Sequence, residues 1–243
     1  MSLEHIANSH WQALCQNPYP GRGIVLGATA DGKTLLQAYW LMGRSENSRN
    51  RVLVAQGNTL ATQAADPAKL KDPALVIYTA MRELPGRYLV TNGDHTDTLY
   101  QGLQGGQTFE EALKTRIHEP DGPNWTPRIA GEIALGAAGP TARLAVIKAD
   151  PLDTQRSIHC FYQFGGLPAG YGWLVTTYMG DGDPLPSFSG EPRLLPLAGG
   201  PEEVLEALWG ALNAENRIAL AVKAIPLAGG QAVLHLRNRY VQR

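Results

Sequence analysis

The stretch that decides the fold is Gly23-Ile24-Val25-Leu26-Gly27, followed by Asp31-Gly32 and then by the apolar run from Leu35 to Met42. An apolar run, a tight-turn dipeptide and a second apolar run predict a β-hairpin, because glycine accepts the positive φ of a two-residue turn. The pattern recurs along the chain. Leu75-Val76-Ile77-Tyr78 and Tyr88-Leu89-Val90 flank Pro85-Gly86, and residues 218–222 and 233–236 flank Gly229-Gly230. Residues 51–55 and 60–64 read as short strands; residues 143–147, 158–164, 173–178 and the run beginning at Arg128 read as further strands. The total is about twelve strands, many of them hairpin-linked, so antiparallel sheets are expected.

Helical periodicity appears at residues 5–16, with Ile6, Trp11 and Leu14 on one face, and again at 97–103 and 109–115. Thr108 is placed to cap the last of these, with Glu110 and Glu111 in the dipole-favoured first turn. Pro201 opens a helix reaching about residue 213. The helices come in groups rather than alternating with strands, which argues against a doubly wound parallel sheet. The expectation is an α+β protein with two packed, mainly antiparallel sheets and helices outside. No composition break divides residues 1–243, which read as a single domain with residues 1–18 as an added N-terminal helix.

Of 243 residues, 44% are hydrophobic, enough for a sizeable core. The net charge of −1 offers no basic face for nucleic acid. No run of ~20 apolar residues predicts a membrane span, and no secretory profile opens the sequence, so the cytoplasm is the expected compartment. Cys15 and Cys160 form neither a disulfide framework nor a metal motif. Sheet edges of the expected kind pair between copies, which leaves a homo-oligomer open.

Three polar clusters stand out against this apolar framework. Thr91-Asn92-Gly93-Asp94-His95-Thr96-Asp97 joins a strand to a helix; Asn124-Trp125-Thr126-Pro127-Arg128 sits at the mouth of another strand; Gly43-Arg44-Ser45 and Asn50-Arg51 bracket a basic loop. Capping by Asp94 or Thr96 explains one or two side chains of the first cluster but not Asn92 and His95 as well. Arg44, Arg49 and Arg51 suit a phosphate, whose oxygens match guanidinium forks. Other signals fail on spacing. Gly102–Gly106 lacks the Lys-Ser or Lys-Thr of a P-loop, there is no Gly-x-Ser-x-Gly elbow, and His95, Asp97, His118 and Glu119 match no zinc pattern.

Together these residues resemble the archaeal-type IMP cyclohydrolase family. The resemblance rests on Tyr19-Pro20-Gly21-Arg22, Gly43-Arg44-Ser45, Asn50-Arg51-Val52, Ile77-Tyr78, Thr91 to Asp97, Glu119, and Asn124 to Ile129, in this order over roughly residues 19–135. Asp94 stands where a serine is more familiar, and Trp40-Leu41-Met42 is more apolar than expected. The resemblance implies a four-layer α/β/β/α sandwich like that of N-terminal-nucleophile hydrolases, without self-processing. It implies closure of 5-formamidoimidazole-4-carboxamide ribotide to inosine monophosphate in purine biosynthesis, so the partner is a phosphorylated imidazole or purine ribonucleotide. It calls for no metal, nicotinamide, flavin or folate.

On this resemblance the catalytic set is Glu119 as general base, Tyr78 as donor to the formyl oxygen, Arg44 on phosphate or oxyanion, and Asn92. Arg51 joins Arg44; Asn92 and Asn124 read the carboxamide and the base edge. Asn50, Ser45, Gly93, Thr96 and Thr126 complete the substrate-binding set. His95 and Asp97 hold their loop, and Arg128 anchors ligand or loop. Asp121, two residues from Glu119, is the alternative base. A cyclohydrolase or amidohydrolase acting on another heterocycle, and a non-catalytic purine-nucleotide-binding protein, stay open on the sequence alone.

Overall fold

The computed structural model describes residues 2–71 and 73–240. In chain order the elements are helix α1 (Leu3–Gln16), strands β1 (Gly23–Ala28) and β2 (Thr34–Met42), the helical turn α2 (Glu46–Arg49), strands β3 (Arg51–Gln56) and β4 (Thr59–Ala64), the turn α3 (Pro73–Val76), and strands β5 (Thr79–Leu84) and β6 (Arg87–Thr91). Helices α4 (His95–Gln104) and α5 (Phe109–Leu113) precede the long strands β7 (Arg128–Gly136), β8 (Gly139–Asp150) and β9 (Asp153–Phe164). Then come β10 (Tyr171–Thr176), β11 (Arg193–Pro196), helix α6 (Pro201–Ala211), β12 (Arg217–Pro226) and β13 (Val233–Asn238).

The strands form two sheets, ordered β11-β10-β1-β2-β12-β13 and β3-β4-β5-β6-β7-β8-β9. Every pairing between these strands is antiparallel. The protein is therefore α+β with two antiparallel sheets and few helices. Alternation along each strand decides what each sheet buries. Ile24, Leu26, Tyr39 and Ala221 of the first sheet meet Met81, Val90, Ile133 and Leu144 of the second in one apolar cluster. Val25, Trp40, Leu174 and Val222 point the other way, toward Leu14 of α1 and Leu205 and Leu208 of α6. Leu89 and Ala145 on the second sheet pack with Leu99 of α4 and Phe109 of α5. Polar ties also cross between the sheets. Lys223 of β12 bonds Glu83 of β5 at 2.5 Å, and Gln37 donates to the Tyr88 carbonyl at 3.0 Å.

Local signals explain most boundaries. Asp31-Gly32 turns β1 into β2, with Gly32 at φ 67°. Thr108 caps α5, and Glu111 returns the bond to complete a capping box. Two expectations need correction. Residues 75–78 do not form the first strand of the Pro85-Gly86 hairpin; residues 73–76 make a helical turn and the strand begins at Thr79. Pro73 suits a first helical turn, and the Thr62 hydroxyl engages both the Val76 carbonyl and the Tyr78 N–H, taking them out of the sheet ladder. Asp94 occupies the cap position of α4 but makes no capping bond, because its carboxylate pairs with Arg116 and Arg128 instead.

Close packing at the start of β1 requires glycine. Gly23 pairs with the fully buried Trp40, and a Cβ at Gly23 would lie 2.1 Å from the indole ring. That ring is also held by its N–H bond to the Gly21 carbonyl at 3.0 Å. Gly23→Ala therefore overpacks a ring with nowhere to go and lowers stability by about 1–3 kcal/mol; urea unfolding of the two proteins reads this directly, and equal midpoints would refute it.

Candidate active site

A cleft of about 250 Å³ opens where β1 begins and β2 ends. It is lined by the exposed Arg44 and Ser45, the half-buried Ser48, the buried Arg51, and Tyr19, Met42, Tyr178 and Leu185. Arg22, Asp121, Asn124 and Thr126 complete it. Arg22 gets there because Gly21 takes φ 72° and packs against Thr177 and the Tyr178 ring, where a Cβ would collide.

The floor is a buried ion pair. Both carboxylate oxygens of Glu119 accept from Arg22 Nη2 at 3.1 Å, and the two side chains, Arg22 and Glu119, are only 12% and 7% exposed. Burial opposes charge on Arg22, yet Glu119, followed by the phenol oxygens of Tyr78, Tyr178 and Tyr39, raises the guanidinium well above its ordinary pKa. Burial pushes the Glu119 carboxyl up, outweighing the pull of Arg22 and Arg128. Glu119 thus reaches the cleft through Arg22 rather than lining it.

Beside this pair runs a chain of hydroxyls. The Tyr178 phenol lies 2.5 Å from Thr126 Oγ1, and Thr126 Oγ1 donates to Asp121 Oδ2. The other Asp121 oxygen accepts from the Thr126 N–H at 2.7 Å, which folds the loop back on itself. Burial pushes the Tyr178 phenol up to about 12, so it stays protonated. Between Asn124 and Thr126, Trp125 adopts φ 45°, a conformation costing roughly 1–3 kcal/mol for a bulky residue. Its ring packs edge-on against His118 at 5.6 Å.

The expected site residues divide by position. Arg44, Ser45, Arg51, Asn124 and Thr126 share the cleft. Arg44 bonds Asp181 and the Gly182 carbonyl and lies over the Tyr19 ring at 5.0 Å. Ser45 caps α2, and Arg51 donates to the Ser48 and Met42 carbonyls. Asn124 accepts from the Leu185 N–H at 2.9 Å. Tyr78 lies deeper, its hydroxyl 2.6 Å from that of Tyr39.

The others are elsewhere. Asn50 lines a separate cavity of about 680 Å³ with Arg49, Lys69 and Arg239, and both ends of its amide bond the backbone of Asp66. Asn92 is fully buried and spends its amide on the Pro127 carbonyl and the Ile129 N–H. Gly93 and Thr96 form the turn into α4, where the Thr96 hydroxyl bonds the Gly93 carbonyl. Asp97 pairs with Arg82 at 2.8 Å, and Arg128 with Asp94 at 2.6 Å. The Thr91–Asp97 segment therefore braces the cleft loop from behind.

Arg22, Tyr19 and Tyr178 line the cleft, although sequence reasoning assigns none of them a role. Arg22 carries a local signal, a lone cation in a Pro-Gly turn abutting an apolar strand. Tyr178, Asp181 and Leu185 carry none, since their approach depends on contacts far along the chain.

The sequence model of the family described as IMP cyclohydrolase-like protein matches residues 19–229. The chain belongs to this family. An IMP cyclohydrolase of Methanothrix thermoacetophila is 26% identical over 166 residues, 66% of this chain and 74% of that protein. One from Methanocella arvoryzae is 30% identical over 124 residues, covering 49% and 60%; one from Methanosphaera stadtmanae is 31% identical over 126 residues, covering 50% and 60%. For these last two, the match spans less than two thirds of the relative's length. The match to the family includes both the β1 turn bearing Arg22 and the loops bearing Glu119 and Tyr178.

His95 yields a stability prediction. It is fully buried; its Nε2 bonds the Ile129 carbonyl and its Nδ1 faces Arg128 at 3.3 Å, an arrangement that suits the neutral ring with the proton on Nε2. Burial, reinforced by Arg128, pushes its pKa from 6.5 down to about 3. Below pH 6.5 the unfolded chain therefore gains a proton that the folded chain refuses, and stability falls by about 1.4 kcal/mol per pH unit toward pH 3 from this residue. In guanidinium unfolding between pH 6 and pH 4, His95→Gln should lose that share of the slope. Identical slopes would show that His95 does not titrate as described.

Proposed function

We propose that this protein is an IMP cyclohydrolase that closes 5-formamidoimidazole-4-carboxamide ribotide to inosine monophosphate with loss of water. One observation carries the reading: in a member of this family, Arg44 and Arg51 line a cleft together with Arg22, against which Glu119 is buried. The Arg44 and Arg51 guanidiniums suit a phosphate, and the buried carboxylate suits proton transfer on a neutral heterocycle. The active protein on this reading is a single domain of four-layer α/β/β/α type, related in architecture to N-terminal-nucleophile hydrolases without their self-processing, and it works in the cytoplasm.

The chemistry makes three demands. The formamide and carboxamide must be held in the reactive rotamer, which proximity can convert into several kcal/mol of barrier lowering. The amide nitrogen is a poor nucleophile until a base takes its proton. The formyl oxygen gains charge and needs donors. In our reading Glu119, directly behind Arg22 in the cleft wall, reaches past that guanidinium to take the amide proton and returns it to the formyl oxygen. Its raised pKa narrows the gap between carboxylate and substrate, which favours both halves of that transfer. Arg22 keeps the carboxylate in place, Tyr78 supports the developing oxyanion from below, and Arg44 with Arg51 holds the phosphate. Asn124 reads the carboxamide edge, while Asn92 positions the loop that carries it.

The decisive assay is purified protein with the formylated ribotide, following ring closure by ultraviolet absorbance. Glu119→Gln should lower turnover at least ~100-fold at equal folded fraction, and wild-type turnover in the variant would remove Glu119 as the base. Wild-type kcat should fall on the acid side with a midpoint above that of an ordinary glutamate, because burial raises this carboxyl. Arg44→Ala should raise KM about tenfold with a smaller change in kcat, the loss of one charge-assisted contact to phosphate; a pure kcat defect would move Arg44 to the oxyanion.

A further inference from the structure

Resting on the reading above, ring closure has a proton inventory that one carboxylate does not complete. The carboxamide nitrogen loses a proton as the C–N bond forms. The formamido nitrogen loses another as the C–O bond breaks and a C=N bond replaces it. Both protons leave on one oxygen, as water. Two nitrogens must therefore each pass a proton to the same oxygen, in two separate steps.

Two proton-handling arrays serve the cleft, and Glu119 with Arg22 is only the first. The second is the Tyr178–Thr126–Asp121 chain, whose three side chains all line the cavity. Its polarity follows from hydrogen-bond chemistry. Thr126 donates its single hydroxyl proton to Asp121 Oδ2. The 2.5 Å contact from Tyr178 to Thr126 must then be donated by the phenol. What Tyr178 offers the cleft is consequently an acceptor oxygen, and the ligand group that suits it is an N–H. The loop is built to hold this direction, since Asp121 Oδ1 is tied to the Thr126 N–H and the Tyr178 ring stacks on Tyr19 at 6.0 Å.

We propose that Tyr178, Thr126 and Asp121 form a reversible proton wire that carries out the second transfer, dehydration of the ring-closed intermediate. The formamido N–H proton passes to the Tyr178 oxygen, the phenol's own proton to Thr126, and the threonine's proton to Asp121 Oδ2. The chain then runs backward. Asp121 returns a proton through Thr126 and Tyr178 to the hydroxyl on the adjoining carbon, the C–O bond breaks, water departs, and the nitrogen electron pair forms C=N. Atoms and charge balance with no outside reagent, and all three residues end as they began. Tyr178 is the catalytic residue here because it touches substrate; Thr126 and Asp121 act through it.

The test is kinetic and spectroscopic on the full-length protein. Tyr178→Phe, Thr126→Val and Asp121→Asn should each lower kcat about 100-fold with KM changed only a few-fold. The Thr126→Val/Asp121→Asn double variant should be no worse than either single one, as expected of residues acting as a unit. Thr126→Ser, which keeps the hydroxyl, should restore turnover, and the solvent deuterium effect on kcat should shrink in Thr126→Val. Wild-type turnover in Thr126→Val overturns the wire, as does a loss that Thr126→Ser does not rescue.

A readout without substrate keeps the two proposals separable. In protein labelled with [13Cζ]tyrosine, the Tyr178 resonance should move on Asp121→Asn when residue 126 is threonine and stay still when it is valine. A resonance indifferent to Asp121 in the threonine background sinks the wire. A wild-type protein inert toward the formylated ribotide, but with this coupling present, sinks the substrate reading while leaving the wire as a proton path for an N–H ligand of another kind.

Discussion

The ion pair between Arg22 and Glu119 is the constraint on which the site depends. Its partners are 97 positions apart and belong to different halves of the architecture. Arg22 immediately precedes the first strand of one sheet; Glu119 lies in the loop that feeds a central strand of the other. Burying two charges costs several kcal/mol of desolvation per ion, recovered only where geometry and further hydrogen bonds are good. Here both carboxylate oxygens are engaged, and, although burial opposes it, Glu119, with weaker help from Tyr78, Tyr178 and Tyr39, raises the guanidinium well above its ordinary pKa. Removing one partner strands the other as an unpaired buried charge, so the fold and the cleft share a single point of failure.

The loop from Glu119 to Pro127 is rich in proline and glycine, and nothing in its own composition would fix it. Its rigidity is supplied from behind. Asn92 uses its side-chain amide as a short extra strand, accepting from the Ile129 N–H at 2.7 Å and donating to the Pro127 carbonyl at 3.0 Å. His95 adds a bond to the Ile129 carbonyl, and Arg128 is clamped by Asp94. In front, Asn124 is tied to the 180s loop through the Leu185 N–H. A flexible sequence thus becomes a defined wall because polar groups on two other segments, residues 92–95 and the 180s loop, meet its backbone demands.

That division explains which parts of the molecule are legible in sequence. Hairpins announced by Asp31-Gly32 and Gly229-Gly230, and the Thr108 cap, are local events whose physics lies within a few residues. Residues 75–78 read as a strand because their apolar run mimics one, although residues 73–76 form a helical turn, while the deciding partner, Thr62, lies on a neighbouring strand. The polar segment Thr91–Asp97 is exceptional in composition, yet composition does not tell a wall residue from a brace: Asn92 and Asn124 look alike in sequence, and only burial separates them. The family resemblance legible in the motifs reaches to about residue 135, and the contribution of Tyr178 and Leu185 begins well beyond it.

Glu119 and Asp121 show most clearly how the same functional group acquires different work. They are two residues apart on one loop, but the turn sends one inward to a fixed cation and leaves the other facing a backbone N–H and a hydroxyl. Chemistry that moves two protons from two nitrogens benefits from two carboxylates that do not compete for the same partner. Their separation is produced by the loop's internal bonds. The Glu119 N–H donates to the Thr126 carbonyl at 2.9 Å, and Asp121 accepts from both the N–H and the hydroxyl of Thr126, which makes Thr126 the common hinge of both environments. A side chain at that position must therefore satisfy a backbone turn and a proton path at once, and a small β-branched alcohol does both.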